Sequence, residues 1–240
     1  FDLMQRDCIV LQRQLVSPLI EGSDFKSHYE VLLGVRDATD NVVAVSDNVL
    51  IEAERSEQMA QVDRWVIRRA LQWMSANRRE VIRSGGYAIN ISAVSFADDS
   101  LLEYVVSELT ESSIPPAKII FVVTESVAID RLSSAVDFIR ALREYGCRFA
   151  INDFGAGNAT FAYLKTLPVD FVNIDSMFMS DFADSDNDYA MVKSINEISH
   201  LMGKLTIAKY ANSEVIVARL KELGVDFAQG IALAERETLQ

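Results

Sequence analysis

A chain of 240 residues that is 50% apolar can bury one sizeable core, in the size range where an α/β barrel closes as a single domain. With 10 Gly, 4 Pro and 24% charged residues it is neither disordered nor collagen-like, and a net charge of −12 argues against a groove for DNA or RNA. The longest apolar run, residues 119–123, is too short to cross a bilayer, and Cys8 and Cys147 read as reduced thiols of a cytoplasmic protein.

In chain order, the start at Phe1 suggests a C-terminal fragment of a larger protein, with residues 1–8 a linker or helix from an upstream domain. Residues 10–16 and 29–35 are strand-like, separated by a polar turn around 21–26. That connection is too short for a parallel crossover, so the pair is predicted to be antiparallel. Residues 56–74 read as a long helix with Met59, Val62, Val66, Ala70 and Trp73 inward. A strand at 87–91, a helix at 101–109 and a strand at 118–123 follow.

The helix expected over 130–145 sets Leu132, Val136, Ile139 and Leu142 on one face. Gly146 ends it and a strand at 147–151 follows. A strand at 171–174 comes next. Helix 186–202 stops at Gly203 before strand 205–208, and helix 213–223 stops at Gly224 before strand 225–228. About eight strands separated mostly by helices predict a closed (β/α)8 barrel whose first strand runs antiparallel to the rest, formed by one domain over 1–240.

In such a barrel, function collects where strands end. Those positions hold Glu30, Asn90, Thr124-Glu125, Asn152-Asp153, Asn173 with Asp175, Lys209-Tyr210 and Gln229-Gly230. Any one of them can simply cap the next helix; as a set they predict a pocket. The run Asn152-Asp153-Phe154-Gly155-Ala156-Gly157 adds an acid followed by a two-glycine loop suited to covering a ligand. His28 and His200 share no metal-ligand spacing, and the acidic stretch 181–188 lacks the Gly and Glu of a calcium loop.

These residues, in this order, resemble the EAL domain, the cyclic di-GMP phosphodiesterase family, over nearly the whole chain. Glu30-Val31-Leu32 stands at the signature Glu-Ala-Leu, and Asp63-Arg64-Trp65-Val66 resembles the family's helix motif. Asn90-Ile91-Ser92, Thr124-Glu125-Ser126, the 152–157 run, Leu167-Pro168-Val169-Asp170, Ile174-Asp175 and Gln229-Gly230 match in turn. The resemblance implies hydrolysis by two divalent cations held by carboxylates. Glu30, Asn90 and Asp153 match that set. Val122 replaces a Glu, Asn152 an Asp and Asn173 a Lys, while Ala208-Lys209-Tyr210-Ala211-Asn212 stands at Ala-Glu-Gly-Val-Glu.

On those departures the expectation is a catalytically inactive domain with no catalytic residue, no metal and no cofactor, acting as a cyclic di-GMP receptor. Its ligand contacts are expected at Gln14, Glu30, Leu32, Leu33, Gly34, Asp63, Asn90, Asp153, Asn173, Lys209, Tyr210, Gln229 and Gly230. Lys209 would meet a phosphate and Tyr210 a guanine. Gly34, standing where the family has an Arg, removes a charge and is expected to open space. Glu-Val-Leu-Leu-Gly beside an altered metal site resembles the FimX-type receptors. That likeness implies a GGDEF-like domain upstream, a PilZ-domain partner and a role in type IV pilus, motility or biofilm control, with neither membrane nor nucleic acid as partner. The alternatives are a ligand-blind protein scaffold and a weakly active phosphodiesterase.

Overall fold

The computed structural model describes residues 9–22, 24–37, 39, 41–44, 59–130, 132–155 and 163–239. The expected linker 1–8, the first turn of the helix expected from 56 and the Ala156-Gly157 half of the glycine run lie outside these residues.

Strands β1 (Ile9–Pro18) and β2 (His28–Arg36) form an antiparallel ladder from Ile9↔Val35 to Val16↔His28, as the short connection requires. A short strand that the sequence reading did not include, β3 (Val42–Ala44), pairs antiparallel to β2. Helices α1 (Met59–Ala76) and α2 (Arg78–Arg83) lead to β4 (Tyr87–Asn90), and α3 (Ala93–Phe96) and α4 (Leu101–Ser112) lead to β5 (Ile119–Thr124). Then come α5 (Glu125–Asp130), α6 (Leu132–Glu144), β6 (Arg148–Phe154) and β7 (Phe171–Ile174). The order closes with α7 (Asp186–Leu201), β8 (Leu205–Ala208), α8 (Glu214–Glu222), β9 (Phe227–Ala228) and β10 (Glu237–Thr238).

The ten strands form one sheet in the order β10-β1-β9-β8-β7-β6-β5-β4-β2-β3 with an extra β1–β2 pairing. Removing the appended β3 and β10 leaves eight strands in a closed ring. Within it β1 is antiparallel to both neighbours and the other pairings are parallel. The barrel is therefore the one expected from the alternating elements, with its inverted first strand.

Strand alternation divides the core in two. Outward residues such as Ile89, Phe121, Phe149 and Ile151 meet Val66, Ile67, Ala70 and Met74 of α1 and the other helices. Inward residues Val16, Ala88, Ile120, Val122, Ala150, Phe171, Ile207 and Phe227 fill the barrel. At the N-terminal end, Phe25, His28, Phe171 and Phe227 form a plug with ring centroids 5.1–6.0 Å apart. A filled middle and a plugged bottom leave the C-terminal end as the place where polar side chains can converge.

Three differences from the expected elements have local causes. The helix expected over 130–145 is preceded by a separate α5, because Glu125 starts a turn directly at the end of β5. Trp73, expected inward, is partly buried with Arg13 over its ring at 5.3 Å, and Met74 takes the core position. The strand expected from 225 begins at Phe227, since Val225 N–H still bonds to the Leu220 carbonyl and closes α8.

Candidate functional site at the barrel mouth

Glu30 is the centre of the mouth. It points inward from β2 and is 5% exposed. Lys209, just past β8, donates from Nζ to Glu30 Oε1 at 2.8 Å, and Asn90 Nδ2 at the end of β4 donates to the same oxygen at 3.1 Å. Gln229 Nε2, just past β9, donates to Glu30 Oε2 at 2.7 Å and lies 3.3 Å from Gln14 Oε1 on β1. Gln14 in turn donates to the Ala234 carbonyl at 3.1 Å. Burial pushes the Glu30 carboxyl up, but the Lys209 charge and the bonds from Lys209, Asn90 and Gln229 outweigh it, so Glu30 is held below the usual carboxylate range.

A second chain of amides lies across the barrel. Asn173 Nδ2 donates to Asn152 Oδ1 at 3.0 Å, and Asn152 Nδ2 donates to Asp153 Oδ1 at 2.8 Å. Asp153 sits where β6 loses register with β7 and has φ of 57°, a left-handed conformation that turns its carboxylate to the mouth. Partial withdrawal from water pushes that carboxyl up, Lys209 pulls it back, and Asp175 and Glu30 add to the rise. The environments thus split the two carboxylates, Glu30 held ionised and Asp153 shifted toward its neutral form.

Above Glu30 opens a cavity of about 500 Å³, walled by Gln12, Gln14, Leu32, Lys209, Tyr210 and Gln229 among others. That is the size of a small-molecule site. Tyr210 is 55% exposed and has φ of 60°, which sets its ring at the rim. A larger groove of about 690 Å³, formed by the start of β1 and by α1, contains none of the strand-end polar residues.

The expected contacts divide on this geometry. Gln14, Glu30, Leu32, Lys209, Tyr210, Gln229 and Gly230 line the cavity. Asn90 touches it through Glu30, and Asn173 lies in the small space beneath Glu30 and Lys209. Asp153 stands on the opposite rim. Leu33 does not point in; the two-residue period of β2 turns it into the outer core. Gly34 opens no space, because a Cβ there would lie 2.9 Å from Val42 Cγ1 and 3.0 Å from Gln12 Oε1. Asp63 is buried on α1, accepts from Ser92 N–H at 2.8 Å, and does not line the cavity. The sequence reading missed Gln12, Val42, Asn212, Ile231, Glu235 and Arg236. Of these, two carried a signal: Gln12, two residues before Gln14 on the same strand face, and Asn212, which ends the Ala208–Asn212 motif.

The EAL domain family model matches residues 20–236. The chain belongs to the EAL family. Among its relatives, cyclic di-GMP phosphodiesterase PdeB of Shewanella oneidensis is 34% identical over 218 residues, 91% of this chain and 25% of that protein. Cyclic di-GMP phosphodiesterase PdeF of Escherichia coli is 31% identical over 94% of this chain and 30% of that protein. This EAL chain thus spans about a quarter to a third of the length of these relatives. A cyclic di-GMP complex of the PaMucR phosphodiesterase superposes with a TM-score of 0.90 at 26% identity, covering 98% of this chain and 94% of that one. The FimX EAL domain of Pseudomonas aeruginosa bound to cyclic di-GMP gives 0.85 at 25% identity, covering 98% and 93%.

These relatives correct two expectations. A catalytically inactive receptor does not stand as the reading of this EAL domain, because the relatives at 34% and 31% identity are named phosphodiesterases. The expectation that no metal cofactor is needed falls with it, since the family's chemistry, as the resemblance implies, rests on divalent cations. The side chains present are nonetheless a poor fit to a pair of such ions. Hard cations need several carboxylate oxygens, and among the described residues no three acidic, histidine or cysteine side chains converge. Val122 is buried in the barrel filling, Asn152 and Asn173 are neutral, and Lys209 already holds Glu30. Among the described residues no helix is long and apolar enough to cross a membrane.

Proposed function

We propose that this EAL domain binds cyclic di-GMP in the barrel-mouth cavity and hydrolyses it slowly, as a weak phosphodiesterase. The observation that carries the reading is the Glu30–Lys209–Gln229 cluster at the floor of a 500 Å³ cavity, in a chain whose relatives are named for this activity. An ammonium has three donors. Lys209 spends one on Glu30, and the others are directed to a ligand phosphate. Gln14 and Gln229 supply amide donors and acceptors, Leu32 an apolar wall, and Tyr210 a face on which a guanine stacks. Glu30, Asn90 and Asp153 are what remains of the family's carboxylate set as the resemblance implies it, and the neutral Asn152 and Asn173 beside Lys209 set the rate low. The FimX likeness supports placing the domain in the cytoplasm, downstream of a GGDEF-like domain and beside a PilZ-domain partner.

The test incubates the 240-residue chain with cyclic di-GMP and Mg²⁺ or Mn²⁺ and follows the linear dinucleotide pGpG by chromatography. Product should grow in proportion to time and protein, and should vanish in Glu30→Gln. Calorimetric binding with no product in either metal would remove the enzymatic half of the reading; absence of binding would remove the whole.

A further inference from the structure

Arg236 is on the cavity wall and has no side-chain partner among the described residues. The strand that follows places it beside β1. β10 pairs with β1 at Arg13↔Glu237 and Gln12↔Thr238. Glu237 turns outward, where its carboxylate meets Arg13 at 3.0 Å. Arg236, just before β10, lines the cavity together with Gln12 and Gln14. Among the described residues, Arg13, Arg64, Arg68 and Arg143 each have a carboxylate partner. Arg236 is exposed and has no hydrogen bond or ion pair among them. Other arginines, such as Arg78, Arg79 and Arg140, also have no ion pair among the described residues; what sets Arg236 apart is its place on the cavity wall, next to Glu235.

Two further observations define what it meets. Tyr210 lines the same cavity with its ring at the rim, a stacking platform for a base. Gly34, where the family resemblance expects an arginine, has its side-chain space filled by Val42 and Gln12, so no cation reaches the cavity from that position.

We infer that Arg236 is a specificity residue that reads the guanine base of the bound dinucleotide, its planar fork donating to guanine O6 and N7 while Tyr210 stacks on the ring. Adenine presents an amino donor where guanine has O6, so the same fork rejects it. The inference rests on the cyclic di-GMP reading of the cavity and adds a base-reading residue from the segment just before β10.

The experiment titrates the 240-residue chain and its Arg236→Ala and Arg236→Lys variants with cyclic di-GMP and with cyclic di-AMP by calorimetry. Arg236→Ala should weaken cyclic di-GMP by roughly tenfold or more and leave cyclic di-AMP little changed, narrowing the preference between them. Arg236→Lys should recover only part, because an ammonium lacks the fork. Thermal melts should coincide for all three proteins, since Arg236 has no partner to lose among the described residues. Unchanged affinity for cyclic di-GMP in Arg236→Ala overturns the inference. So does an equal loss for both dinucleotides, which would mark a phosphate contact. If the unaltered chain binds neither, the cyclic di-GMP reading itself fails and takes this inference with it.

Discussion

At Gly230, a Cβ would sit 2.2 Å from the Ala211 carbonyl oxygen and 2.5 Å from its nitrogen. The Gln-Gly pair that closes the family pattern therefore does two different things. Gln229 reaches Glu30 with its amide at 2.7 Å, while Gly230 lets the β8 loop, with Lys209 and Tyr210, approach the β9 loop backbone to backbone. Ala211 N–H donates to the Gln229 carbonyl at 2.9 Å across that contact. Gly230→Ala should lower stability by about 1–3 kcal/mol through overpacking, seen as an earlier urea midpoint with an unchanged slope. A midpoint equal to the parent's would show that the two loops have slack. Lys209 illustrates a different gap between sequence and structure. Its position in the motif showed that a cation had replaced a carboxylate, but only the fold shows that it is 14% exposed and paired to Glu30.

On the scale of elements, the site depends on how strands hand over to helices. The β8 loop runs directly into α8, whose N-cap Ser213 accepts from the Ile216 N–H at 3.3 Å. Ser213→Ala should cost about 1 kcal/mol, measured as a drop in thermal or urea midpoint. An indistinguishable midpoint would mean that water caps α8 equally well. On the opposite rim, the acid-glycine run was legible as a loop, yet β6 continues through Phe154 and Asp153 adopts its left-handed turn inside the strand. Periodicity cannot reveal such a bulge, because the register slip depends on β7. The short β3 and β10 were missed for a related reason: two or three residues carry no alternation to read.

For the whole molecule, the barrel's plugged end makes a pH prediction. His28 is 2% exposed among Phe171 and Phe227. Burial drives its imidazole down from 6.5 to about 3, with Arg148's charge adding to the fall and Glu30 opposing it. The folded protein keeps His28 neutral while the unfolded chain takes up a proton below 6.5, so stability is full above that pH and declines as pH falls toward 3. Between pH 7 and 5 the loss from this group should be about 2 kcal/mol. Comparing urea midpoints at the two pH values for the parent and His28→Phe should show a smaller decline in the variant. Equal declines would assign the acid sensitivity to other groups.

What the amino-acid order by itself determined is the barrel, its inverted first strand and the ring of polar residues at strand ends. All of these follow from local periodicity, helix-ending glycines and the length of the first connection. It also carried the family, through motifs that lie within single strands and turns. It led wrongly to an inactive, metal-free receptor, because the changes at Val122, Asn152, Asn173 and Lys209 were given more weight than the family's activity, which relatives at 34% and 31% identity carry in their names. Tertiary structure decided that Leu33 faces the outer core, that Gly34 is filled by Gln12 and Val42, and that Arg236 lines the cavity. Those outcomes depend on which side of a strand a residue takes and on neighbours up to some two hundred residues away, such as Gln14 and Ala234; such distances in the chain leave no trace in local pattern.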